Sequence, residues 1–150
     1  MNMDPETRVL QVDNNIDELS RIADFIEQLG GEWSFQPSLT FQLNLVLEEA
    51  FANIVSFGYD DVEVHRVEIL FSYSNPELSI TICDDGHEYD PTQRAELDIT
   101  LPAEERPVGG LGIYLIRKFM DSVEYRRIDN KNYLILSKKT GIETARNETL

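Results

Sequence analysis

The chain has 150 residues, with 13 basic against 28 acidic side chains and a formal net charge of −15. That balance argues against nucleic-acid backbones and anionic membranes as direct ligands and favours a partner with a basic protein surface. A chain of this length is about one domain and buries roughly two thirds of the surface its unfolded form exposes, so its core needs neither disulfides nor a metal.

Thr7 to Val12 alternates apolar and polar residues, which predicts a short first strand closed by Asp13-Asn14-Asn15. Asn15 with Glu18 forms a variant capping box. Ile16, Leu19, Ile22, Ala23, Phe25, Ile26 and Leu29 then follow helical spacing until Gly30-Gly31, where the helix is expected to stop. Pro37-Ser38 starts a second helix, about Leu39 to Phe57, whose apolar residues cover more than one face and predict deep burial. Val62 to Tyr73 and Leu78 to Cys83, joined by Asn75-Pro76-Glu77, read as an antiparallel hairpin. A second strand pair, Val123 to Ile128 and Tyr133 to Lys138, is joined by Asp129-Asn130-Lys131-Asn132. The expected domain is 1–140, with 141–150 a flexible tail. The polar N-terminus and the absence of an apolar run near 18 residues predict a cytoplasmic protein. Cys83 reads as a small buried thiol, and His65 and His87 as surface residues without a metal partner at ligand spacing.

Three polar constellations interrupt these elements. Glu49 and Asn53 are four apart and stack on one side of the second helix, where a carboxylate and an amide need partners if buried. Asp84-Asp85-Gly86-His87-Glu88-Tyr89-Asp90-Pro91 ends a buried strand in acidic and turn-forming residues. Such a run is by itself an ordinary acidic turn, yet an aspartate there can accept from an amino group while the glycine admits a flat ring, features that suit adenine. Val108-Gly109-Gly110-Leu111-Gly112-Ile113 runs from a glycine loop into a helix, whose unpaired N–H groups suit an anion. Between the last two, Thr92 to Pro107 lacks a clear period and reads as a mobile lid.

In this order and spacing the three motifs resemble the GHKL-type ATPases, most of all the small bacterial anti-sigma factor serine/threonine protein kinases, over roughly Thr7 to Lys138. The resemblance implies a Bergerat-type α/β two-layer sandwich, with helices on one face of a mixed, mostly antiparallel sheet and ATP with Mg²⁺ held under the lid. Carried over by position, Asn53 would hold Mg²⁺, Asp84 would take the adenine amino group and Gly86 would pass close to the base. Gly110 and Gly112 would wrap the phosphates, with Gly109 and Leu111 in the same loop, and Arg106 would add positive charge near the γ-phosphate. Glu49 would act as the catalytic residue, polarising the attacking hydroxyl or water. The implied partner is an anti-anti-sigma protein of the STAS type, with a sigma factor also held inactive; a homodimer through the first strand and helix is a family expectation. Phe57, Val108 and Glu88 depart from the broader pattern, in that order standing where a histidine, a first loop glycine and a second adenine-motif glycine are common. A non-catalytic ATP-binding partner-switch module would keep the same nucleotide contacts.

Overall fold

The computed structural model describes residues 4–93 and 110–140, and of 110–112 the backbone. Five strands and three helices follow in the order β1 (Glu6–Asp13), α1 (Leu19–Glu32), α2 (Pro37–Phe57), β2 (Arg66–Ser74), β3 (Glu77–Asp84), α3 (Gly110–Phe119), β4 (Ser122–Ile128) and β5 (Lys131–Lys139), with short 3-10 turns at Ile16–Glu18 and Pro91–Gln93. The sheet order is β1-β2-β3-β5-β4. All four pairings are antiparallel among the described residues.

Period-two alternation sorts the strands into two faces. Leu10 and Val12, Val67, Ile69 and Phe71, Leu78, Ile80 and Ile82, and Leu136 form one core with the buried faces of the three helices. The opposite face carries Gln11, Glu68 and Arg126, all exposed. The expected two-layer sandwich is therefore the observed one. α2 packs between α1 and α3, and its buried positions from Leu39 to Asn53 explain why it is apolar on more than one side.

Several local details differ from the sequence expectation. α1 runs through Gly30 and Gly31 to Glu32. A Cβ on Gly30 would lie 2.7 Å from Thr40 Oγ1 of α2, so this glycine serves close helix packing rather than termination. The stop comes at Ser34, whose φ of 58° lets the Phe35 N–H donate to the Gly30 carbonyl at 2.9 Å, the outer bond of a Schellman motif. Asn15 accepts from the Asp17 N–H at 2.9 Å, while Glu18 reaches the Asp13 N–H at 2.8 Å instead of closing a box on Asn15.

β2 begins at Arg66, and Val62 and Val64 before it are exposed. Its hairpin to β3 turns on Asn75-Pro76, joined by a cis bond. The last hairpin turns on Asp129-Asn130, with φ of 51° and 63°, as a type I′ turn requires. Lys131 and Asn132 therefore belong to β5 and not to the turn. Cys83 is half-buried on the outward face, and burial raises its thiol pKa. His65 is also half-buried rather than surface, stacked on Tyr59 at 4.1 Å. Residues 141–150 and most of the expected lid, from Arg94 on, lie outside the described residues.

Candidate functional site

At one end of the inner sheet face the apolar rows give way to polar residues. The row Leu10–Ile69–Ile82–Leu134–Tyr125 is followed by Asp84–Asn132–Arg127, paired across β3, β5 and β4. Asp84 is 5 % exposed and Asn132 7 %. A carboxylate here must be hydrogen-bonded to persist. Asp84 Oδ1 accepts the Gly86 N–H at 2.9 Å and the Asn132 Nδ2 at 3.0 Å. With Oδ1 occupied twice, Oδ2 is the oxygen that can serve a ligand. Burial raises the Asp84 pKa, against the lowering effect of those two donors and the Arg127 charge.

Asp84 lines a cavity with Asn53 and Ala50 of α2, Ile82, Ile116 of α3 and Leu134. Its volume is about 40 Å³, room for a few waters rather than a purine, so a base entering it must displace side chains. Phe57 and Tyr89, stacked at 6.0 Å, also line it, and Phe57 is 37 % exposed.

Asn53 is 9 % exposed and lines the cavity, and its side chain makes no hydrogen bond among the described residues. Its carboxamide oxygen is a hard donor of the kind Mg²⁺ takes. Among the described residues no group of three or more His, Cys, Asp or Glu side chains could hold a metal. Glu49, one turn earlier on α2, is half-buried; desolvation and the neighbouring Glu48 raise its pKa. A carboxylate so poised is a better proton acceptor than a solvated one.

Gly86 is required for a reason the sequence does not show. A Cβ there would lie 2.5 Å from the Gly58 carbonyl oxygen, which also accepts the His87 N–H at 2.8 Å. The end of α2 is thereby pressed onto the loop after β3. Beside this contact, Tyr59 donates to Asp85 at 2.7 Å, His65 meets Asp61 at 2.8 Å, and His87 lies 3.0 Å from Asp60.

The structure thus brings Asn53 and Asp84 to one cavity, with Glu49 a turn away; Gly86 lies outside its lining, packed on the Gly58 carbonyl. Gly110, Leu111 and Gly112 form the first turn of α3, so the helix starts earlier than the glycine loop suggests; Arg106 and Gly109 lie outside the described residues. Sequence reasoning missed Asn132, Arg127 and Tyr125. Strict alternation from Leu136 back through Leu134 would have turned Asn132 inward.

The model of the histidine kinase-like ATPase domain matches residues 12–138. The chain belongs to this family, the GHKL-type ATPases. Within it, the chain is 32 % identical over 116 residues to the serine/threonine-protein kinase BtrW of Bordetella bronchiseptica, covering 77 % of this chain and 80 % of that one. It is 31 % identical over 86 residues to the serine-protein kinase RsbW of Bacillus cereus, covering 55 % of this chain and about half, 53 %, of that protein. A crystal structure of RsbU and RsbW domains from a Mycobacterium tuberculosis protein superimposes with a TM-score of 0.60 at 11 % identity, over 89 % of this chain and 32 % of that one, a likeness of fold. No helix among the described residues is long and apolar enough to cross a membrane.

Proposed function

We propose that this GHKL-type domain is an ATP-dependent serine/threonine protein kinase that acts as an anti-sigma regulatory factor and phosphorylates an anti-anti-sigma partner of the STAS type. The observation that carries the nucleotide part is the buried Asp84, with one oxygen saturated and the other available to an adenine amino group at an apolar cavity. The kinase part is supported by the names of the two relatives and by Glu49 beside Asn53.

In this reading Asp84 selects adenine over guanine, because it accepts from an amino group where guanine presents a carbonyl. The first turn of α3 offers backbone N–H groups to the phosphates. Asn53 would hold Mg²⁺ through its amide oxygen, and the ion would supply positive charge to offset that of the phosphates. Glu49 takes the proton of the partner's hydroxyl as its oxygen attacks the γ-phosphorus, and ADP leaves. The net charge of −15 favours a partner that presents basic side chains around its acceptor. A homodimer and a sigma factor as second partner belong to the same reading.

Incubation with γ-labelled ATP and a candidate partner tests it. Acid-stable label on a partner serine or threonine, absent with Glu49→Ala, is the expected result. A partner that binds tightly with MgATP and never acquires label would make the chain a non-catalytic ATP-binding module.

A further inference from the structure

Asn132 sits between β4 and the end of β3 with its side-chain hydrogen bonds fully assigned. Its two Nδ2 protons go to Asp84 Oδ1 at 3.0 Å and to the His87 carbonyl at 2.8 Å. Its Oδ1 accepts from the Tyr125 hydroxyl and from Arg127 Nη1, the latter at 3.0 Å. Arg127 Nη1 also donates to the Gly86 carbonyl at 2.8 Å. Rotating the amide by 180° would set oxygen against Asp84 and His87 oxygens and NH₂ against the guanidinium, so its neighbours fix its orientation. The β4–β5 hairpin thereby grips the loop after β3, which Gly58 also contacts.

We infer that Asn132 is a positioning residue for base recognition: held by Arg127 and Tyr125, it occupies Asp84 Oδ1 and so leaves Oδ2 for the ligand. The inference rests on the ATP reading above and goes further, since it assigns the discrimination of adenine to a second residue, on another hairpin, that touches no ligand itself. Fixing one oxygen of a carboxylate removes its freedom to rotate, which is the preorganisation a selective acceptor needs. It also favours the charged form. The charged and titratable groups around Asp84 are Asp85 just past the end of its own strand, Arg127 and Tyr125 from β4, Tyr59 from the α2–β2 connection, and His87 and Tyr89 from the loop after β3, which with Tyr125 line the same cavity, with Cys83 adjacent in sequence. Of these Arg127 opposes burial and Asp85 adds to it, so loss of the Asn132 donor shifts the balance toward the neutral acid.

Calorimetric titration of MgATP and MgGTP at a series of pH values from acid to alkaline tests this with wild type, Asn132→Ala and Asn132→Asp, each checked for folding at every pH by circular dichroism. Wild type should bind ATP over GTP and weaken toward acid as Asp84 protonates. Asn132→Ala should bind ATP roughly tenfold less well at neutral pH, lose part of its preference over GTP, and begin its acid weakening at higher pH than wild type. Asn132→Asp sets two carboxylates together; its affinity should be lowest at neutral pH and rise on acidification as the pair takes up one proton.

ATP binding by Asn132→Ala equal to wild type, or lower by one factor at every pH with the profile unmoved, would overturn the inference and leave the ATP reading standing. Should Asn132→Ala not fold, Asn132→Asp decides: wild-type affinity at neutral pH would overturn the inference. Wild type that binds no ATP at any pH would overturn the ATP reading and the inference with it.

Discussion

The two ends of the β2–β3 hairpin are built from opposite chemistry. Where the strands turn, Trp33 and Phe35 pack on Tyr73 at 5.1 and 5.2 Å. The indole N–H donates to Glu6 at 2.6 Å, and Arg8 lies 5.7 Å from the ring. Seven strand residues away, β3 runs out into Asp84 and the Asn132–Arg127 grip. The aromatic end buries apolar area and stabilises the fold. The polar end holds a desolvated carboxylate whose raised pKa makes folding less favourable while it is ionised. If Asp84 takes the base as proposed, one sheet separates stability from ligand recognition along the length of two strands, the expected pattern where a site requires groups that the core would reject.

The separation can be broken first at the aromatic end. Trp33→Ala removes an 8 % exposed indole and should lower unfolding free energy by about 3–5 kcal/mol, measured by urea denaturation, while ATP affinity under native conditions stays within twofold of wild type. An affinity loss that tracked the stability loss would show the two ends to be coupled.

Asn53 sharpens the comparison from the other side. Asn53→Ala should reduce nucleotide affinity about tenfold with magnesium present and little with EDTA, because the amide oxygen is assigned to the ion and not to the base. Equal losses in both conditions would move Asn53 from the metal to the nucleotide.

The smallest effect belongs to His65. Its hydrogen bond to Asp61 raises its pKa and lowers that of the aspartate. The histidine's contribution to stability is fully present below its unfolded value of about 6.5 and disappears as pH rises through the higher folded value; the aspartate's is lost as pH falls through its own lowered value. NMR titration should find the His65 pKa lower in Asp61→Asn than in wild type; an unmoved His65 pKa would remove the assigned cause.

Much of this architecture was legible in the sequence because its apolar periods are long. α2 and the β2–β3 hairpin declare themselves by spacing alone, and Glu49, Asn53 and Asp84 stand out as polar residues inside those patterns. What could not be read depends on contacts between distant segments. Gly30 reads as a helix stop until Thr40 is placed against it, and Gly86 reads as a ligand-facing glycine until the Gly58 carbonyl is found there. Asn132 hides for a further reason: in the run Asp129-Asn130-Lys131-Asn132 every residue suits a turn, and φ at Asp129 and Asn130 decides which two make it. Register then carries Asn132 opposite Asp84.

The central claim is that Asp84 is spent on recognition and not on the fold. Calorimetry with MgATP and thermal melting of the same Asp84→Asn preparation test it together. The account predicts ATP binding weaker by ten- to a hundredfold, about 1.5–3 kcal/mol for a hydrogen bond to a charged group, with a melting temperature equal to or above that of wild type at neutral pH, since Asn can accept from Gly86 and Asn132 without a buried charge. Unchanged ATP affinity in a folded Asp84→Asn, or a melting temperature that falls along with the affinity, would contradict it.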